Sequence, residues 1–363
     1  MRVAVIGGGA MGAAAAWRLS NRGADVVCFD RHSPPHALGS SHGESRIMRT
    51  AYMEGPWYVP LVQEAFLMWR ELEDATGADL LTNTGALMLG NPSSDAVRGA
   101  LTSAAAHGLD VDLMDADVVR DRYPGHVVGK DDVGVLDLQA GFVRPEAAIG
   151  AMLSQVPEIK RETAVASIAE VSEEFDRVVV AAGPWTPQLV DWLPLAIERQ
   201  VMAWFQIETG ADWFTPDRFP VFIRQSGNSE MYGIPTLDGT SVKVARHHEG
   251  EPTDPDHMNR EVTATDLDPV REFVARYMRG VSTRVRRSLV CMYTNTPDRH
   301  FAIDFDPSNR RVIVVSACSG HGFKFAPVIG DIAADLALRG QTSRDISHFS
   351  FARFASGGLA HTR

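Results

Sequence analysis

Val3-Ala4-Val5-Ile6-Gly7-Gly8-Gly9-Ala10-Met11-Gly12 lies near the start of the chain, and Asp25-Val26-Val27-Cys28-Phe29-Asp30 follows it. The run from Arg2 to Ile6 reads as a strand buried on both faces, as in a parallel sheet. The glycines turn it into a helix from about Met11 to Asn21, and a second strand from Asp25 to Phe29 ends at an acidic residue. Together these are the βαβ start of a dinucleotide-binding fold. Gly7 permits the tight turn, Gly9 lets the backbone approach a pyrophosphate, and Gly12 lets helix and strand pack closely. The helix N-terminus around Met11 offers amide donors to the phosphates. Asp30 can accept hydrogen bonds from ribose hydroxyls. The glycines do not separate NAD from FAD.

The 363 residues, 45% hydrophobic and 22% charged, have the composition of a soluble globular protein. They suffice for two domains or one large α/β domain. A net charge of −11 argues against non-specific nucleic-acid binding. Cys28, Cys291 and Cys318 are an odd set without CxxC spacing. A disulfide framework and a metal site are therefore not expected, and a reducing cytoplasm is. A strand starting at Arg2 leaves no room for a cleaved signal peptide. No apolar run approaches a membrane span, and His361-Thr362-Arg363 matches no peroxisomal address.

Further along, helices are expected over Tyr58 to Asp74, Ala96 to His107, Pro145 to Leu153 and Pro327 to Leu338. Gly85 to Leu89, Val133 to Leu138 and Arg311 to Ser316 read as strands. Arg177-Val178-Val179-Val180-Ala181-Ala182-Gly183-Pro184-Trp185 reads as a buried parallel strand stopped by Gly183, where backbone meets the ligand a second time. From Gln200 to Tyr293 the pattern changes to short alternating strands, the sign of an antiparallel unit. The expected fold is α/β with an α+β second domain: a Rossmann-like nucleotide-binding domain (residues 1–82, 143–196 and 296–363) carrying a largely antiparallel substrate domain (83–142 and 197–295). A short tail follows Phe354.

Five further stretches carry a resemblance. They are Gly39-Ser40-Ser41-His42-Gly43-Glu44-Ser45-Arg46-Ile47-Met48-Arg49; Tyr232-Gly233; Lys243 to His247; Cys291-Met292-Tyr293-Thr294 with Asp298-Arg299-His300-Phe301; and Ser319-Gly320-His321-Gly322-Phe323-Lys324-Phe325. In order and spacing, from Met1 to about Phe351, the chain resembles the sarcosine oxidase group of N-methyl amino acid oxidases, within the D-amino-acid-oxidase-like flavoproteins. The resemblance implies FAD, attached through its 8α-methyl carbon to Cys291 as a thioether. A thiolate is the attacking species, which calls for nearby positive charge. A small buried strand residue is the commoner fate of such a cysteine.

The resemblance also implies the site. Ser41, His42, Arg46, Gly183, Gly320, Gly322 and Phe323 would border the flavin, with Arg46 beside its ring. Arg49 and Lys324 would hold a substrate carboxylate, since a guanidinium fork fixes orientation as well as charge. The helix after Lys324 would direct its dipole at the ring. Lys243 would lie at flavin N5 and activate dioxygen; from alternation alone, Lys243, Ala245 and His247 share one face, toward a cleft or toward solvent. Tyr232, His247 and His321 would line the substrate pocket. Ile223, Arg224 and Ile234 depart from the sarcosine-specific pattern, and Arg224 is expected to meet a second anionic group. A hairpin of the relatives is trimmed between Glu162 and Arg177.

The implied activity is oxidation of a secondary amino acid at its C–N bond by a cytoplasmic monomer, with dioxygen as second substrate and no nucleic-acid or membrane partner. Cyclic or bulkier substrates, pipecolate-like or N-methyltryptophan-like, are the alternative on the same scaffold, as is a biosynthetic tailoring intermediate. An NAD-dependent dehydrogenase would leave Cys291 and Lys324 idle. A flavin-binding subunit with a silent site should have lost Arg49, Lys243 or Lys324, and all three are present.

Overall fold

The computed structural model describes residues 1–227 and 229–354; the tail after Phe354 lies outside them. A six-stranded sheet runs in the order Ala302–Phe305, Val312–Ser316, Arg177–Val180, Arg2–Ile6, Asp25–Phe29 and Glu158–Lys160. It is parallel apart from the antiparallel Ala302–Phe305. Its strands are nearly continuous apolar runs because helices cover it. Helix Ala10–Asn21 packs on the sheet through four consecutive buried alanines, Ala13 to Ala16. Small residues let its neighbour, helix Ala326–Arg339, come very close: a Cβ on Gly330 would lie 2.4 Å from the backbone of Ala14.

A second, larger sheet runs Glu251–Pro252, Ala196–Ile207, Ser241–Arg246, Ser229–Ile234, Val221–Ser226, Ala86–Gly90, Val133–Asp137 and Val111–Asp115, with Val281–Asn295 also paired to Ala196–Ile207. Only the contact between Val221–Ser226 and Ala86–Gly90 is parallel. Its register puts Cys291 opposite Gln200, Met202 opposite Ala245, Ala245 opposite Tyr232, Tyr232 opposite Ile223 and Ile223 opposite Met88. Paired residues share a face, so these line one side of the sheet. The other side carries Val242, Val244, Phe205, Phe222 and Met231, which form a core with helix Ala264–Tyr277. A small antiparallel sheet of Arg46–Met48, Gly141–Val143 and Leu81–Asn83 completes the frame.

Three local readings need correction. The strand after Arg177 stops at Val180, and Gly183–Trp185 is already a 3-10 turn, because Gly183 takes a left-handed φ of 56°. The stretch around Arg46 and Arg49, rich in small polar residues, reads in sequence as a loop entering a helix, whereas Arg46 begins a strand. Helix Ala264–Tyr277 interrupts a region read as strands alone; its start is marked by a reciprocal capping box between Thr263 and Asp266. That Thr-x-x-Asp signal was available in the sequence.

Candidate active site

A groove of about 360 Å³ begins at the turn after Ile6 and ends at Tyr293 and Lys324. Gly7, Gly9, Met11, Asp30, Ser41, Arg46, Gly183, Gly320, Gly322 and Phe323 all line it. Gly7 and Gly12 are required by the protein itself: a Cβ on Gly12 would lie 1.7 Å from the Gly7 carbonyl oxygen, and one on Gly7 2.4 Å from that of Ala181. Gly9 and Gly183 are different. A Cβ on either meets nothing within 4 Å, so their bare backbone faces open space. Gly9 caps its helix without a side-chain partner, which leaves the helix-end amides for a ligand.

Asp30 receives hydrogen bonds from the Gly8 and His32 amides at 2.6 and 2.7 Å. Burial opposes its ionisation, but these bonds and His36 hold its carboxyl below the usual range, as an acceptor. Ser40 Oγ and both ring nitrogens of His42 are buried with no hydrogen-bond partner among the described residues. Donors at a helix end, an anionic acceptor and the stranded Ser40 hydroxyl suit a dinucleotide with a pyrophosphate and a ribose. His42 itself does not line the groove; it is 2% exposed, and burial with Arg46 alongside lowers its pKa to about 4.

Gly9→Val is therefore expected to fold normally yet lose most FAD, because its Cβ would enter the groove with no protein atom within 4 Å. Flavin absorbance per polypeptide, with circular dichroism as the folding control, checks this; a full complement of FAD would refute the cradle.

Beyond the glycine turn, cations collect. Lys243 is 2% exposed, and its Nζ donates to the carbonyls of Gly43 and Ser45 at 2.8 and 2.9 Å. Burial and Arg46 push its pKa well down. Arg46 donates to the carbonyls of Ser45 and Ser40 at 2.9 and 3.0 Å. Lys324 donates to the His321 carbonyl at 2.6 Å and reaches the Tyr52 hydroxyl at 3.5 Å. Its pKa falls to about 7 through burial and Arg49, with Glu54 partly compensating. None of these three has an acidic partner among the described residues. Arg49 alone is paired, its Nη2 bridging both oxygens of Glu54 at 2.5 and 2.6 Å, with the guanidinium 4.3 Å from the Tyr52 ring centre.

The surrounding rings are neutral. His321 Nε2 faces the Arg299 carbonyl at 3.1 Å and so must donate, which leaves Nδ1 to accept from the Tyr52 hydroxyl at 2.6 Å. Burial lowers the pKa of His321 to about 3 and that of His247 well below its ordinary value. His247 Nδ1 lies 3.2 Å from the Tyr293 hydroxyl. Burial raises Tyr232 to about 12 and Tyr293 well above its norm.

One expectation is overturned. Arg224 sits on the far face of its strand, one residue out of step with Ile223. It is buried there against Asp132 at 2.5 Å, the Val127 carbonyl and the Tyr277 ring, so it meets no ligand anion. The thiol of Cys291, 2% exposed, has a raised pKa, because burial outweighs the nearby charges of Arg46 and Lys243. Cys291 does not line the groove, whereas Cys318 does. Sequence reasoning missed Tyr52 and Glu54. Ile234 and Ile223 are both buried, Ile234 in the cluster that contains Ala51 and Met88.

The model of the family described as DAO, FAD dependent oxidoreductase, matches residues 2–336. The chain belongs to that family. It is 37% identical to monomeric sarcosine oxidase of Streptomyces avermitilis, covering 98% of each chain. It is 33% identical to N-methyl-L-tryptophan oxidase of Salmonella dublin, covering 97% of this chain and 98% of the relative. Among solved structures, NikD, an unusual amino acid oxidase essential for nikkomycin biosynthesis, has a TM-score of 0.83 at 22% identity, covering 96% of each chain. L-proline dehydrogenase from P. horikoshii reaches 0.84 at 19%, covering 99% of each. These two carry the fold alone. Membership makes the chain an FAD-dependent oxidoreductase, and the groove from Gly7 to Lys324 is the fitting place for its cofactor. Among the described residues no helix is long and apolar enough to cross a membrane, and no cluster of ligating side chains could hold a metal.

Proposed function

We propose that this FAD-dependent enzyme oxidises secondary amino acids, N-methyl amino acids foremost, and that Cys291 tethers the cofactor. The observation that carries this reading is the set of Arg46, Lys243 and Lys324, three buried or half-buried cations whose partners are carbonyls and a hydroxyl. Cations held this way favour negative charge brought by a ligand or formed during reaction. When bound, FAD would supply a two-electron acceptor between the C–H bond beside nitrogen and dioxygen, so that the amino acid would leave as an imine that water hydrolyses and dioxygen as hydrogen peroxide.

The side chains orient and select. The free edge of Arg49, Nη1, whose one contact is the Ala51 carbonyl at 3.5 Å, and the ammonium of Lys324 take the substrate carboxylate. An arriving carboxylate raises the pKa of Lys324 and keeps it charged. Neutral His247 and His321 put no positive charge against the amine, which must be unprotonated to release hydride. No side chain acts as a strong base; positioning and charge carry the rate. The first sheet with its helices serves as the FAD-binding unit, and the pocket-facing side of the large sheet as the substrate unit.

A peroxide assay over a panel of secondary amino acids tests the reaction, and absence of peroxide from all of them would refute it. In acid-precipitated wild type the yellow colour should stay with the polypeptide, and in Cys291→Ser it should wash out. Flavin still bound by thioether in Cys291→Ser would move the tether elsewhere, with Cys318 in the groove as the residue to map by mass spectrometry.

A further inference from the structure

The strand carrying Tyr232 and Ile234 presents one more residue on the same side, Glu230, two positions before Tyr232. Its carbonyl accepts from the His247 amide at 2.8 Å, which fixes it beside the strand that bears Lys243. Its cross-strand neighbour is Gln225, whose side-chain oxygen is engaged by the Ala96 amide at 3.1 Å. The charges facing Glu230 are Glu54 and Arg49 from the loop after Arg46, Arg299 from the turn after Asn295, and Asp95 from the start of helix Asp95–His107.

Most of these charges are already matched. Glu54 is bridged by Arg49, and Asp95 pairs with Arg98 at 2.7 Å. Arg299 reaches the site in left-handed backbone; its carbonyl accepts from His321, and its guanidinium, which faces Glu230 without touching it, makes no ion pair among the described residues. Among the described residues Glu230 has neither a hydrogen bond nor an ion pair through its carboxyl group. No cation among the described residues touches this carboxylate, and burial, then repulsion from Glu54, raises its pKa to about 7 against the opposing pull of Arg49 and Arg299. Glu230 does not line the FAD groove. It lies on the side of its strand that carries Tyr232, facing the proposed substrate cleft.

We propose that Glu230 is a specificity residue that receives a cationic group on the substrate side chain, selecting N-methyl amino acids with an ammonium or guanidinium terminus. This rests on the reading of the cleft as the substrate site. A cation there restores full ionisation of Glu230, so binding near neutral pH must release a proton from it.

The test has a turnover arm and a binding arm, both on the FAD-loaded enzyme. Nα-methyl-L-lysine should be oxidised with kcat/KM at least about tenfold above that of N-methyl-L-norleucine, its uncharged counterpart. Glu230→Gln should abolish this preference and Glu230→Asp should keep part of it. Removing an unpaired buried carboxylate does not threaten folding, and the thermal midpoint checks this. In the binding arm, calorimetry near pH 6.5 in buffers of different ionisation enthalpy should find proton release when L-lysine binds. L-norleucine undergoes the same amine and Lys324 proton changes, so the release should be larger with L-lysine, and this excess should vanish in Glu230→Gln. A wild type without preference for the cation, or Glu230→Gln retaining preference and the excess release, overturns the proposal. Tighter L-lysine binding with the excess release, but no peroxide from any secondary amino acid, would overturn the proposed reaction and leave the assignment of Glu230 standing.

Discussion

Lys243→Met is expected to slow reoxidation by dioxygen on the order of 10²–10³-fold, the usual cost of losing one preorganised charge or donor. Bleaching of the flavin by substrate without oxygen should change far less. The distinction follows from where the amine sits. Its hydrogen bonds go to the Gly43 and Ser45 carbonyls, and the carboxylate is assigned instead to Arg49 and Lys324. Burial and Arg46 make its charge costly, and negative charge arising on oxygen nearby relieves that cost. Met keeps similar bulk, and the Trp204 ring 5.3 Å from Nζ remains to pack against it. Stopped-flow traces of the two half-reactions are the measurement. Unchanged reoxidation would remove Lys243 from oxygen chemistry.

Arg49→Met should lower kcat/KM on the order of 10³-fold, the scale seen when one partner of a buried charge pair is truncated. It should also destabilise the fold by about 3–5 kcal/mol, because Glu54 is left buried and unpaired. The two effects can be separated. Burial by itself would raise the Glu54 carboxyl, and it is chiefly Arg49 that brings it well below the ordinary range. In Arg49→Met/Glu54→Gln no charge is stranded, so most stability should return while activity does not. Recovery of both would mean that Arg49 serves the fold alone. Denaturant unfolding and steady-state kinetics on the same preparations decide between them.

Much of this was legible from short stretches. The Gly7 to Gly12 turn, the helix behind it and Asp30 beyond it depend on neighbours within a few positions. So does the alternation that put Lys243 and Ala245 on one face and Val242 and Val244 in the core. The capping box before helix Ala264–Tyr277 was equally local and was passed over because the surrounding strands dominated the pattern. Arg224 shows where local reading ends. Beside Ile223 in sequence, it looked like part of the same pocket, yet adjacent strand residues face opposite ways and its partner, Asp132, comes from another part of the chain.

Chain chemistry alone established a dinucleotide-binding α/β protein, since glycine sterics and hydrophobic period act over single turns and strands. Which groups meet was settled only by folding. Register across the large sheet brought Cys291, Tyr232 and Ile223 to one face, and the packing of that face on the parallel-sheet unit enclosed Arg49 with Glu54, Tyr52 with His321, and Lys324 beside them. Burial, which sets the ionisation of these groups, is a property of the assembled layers and is carried by no single segment.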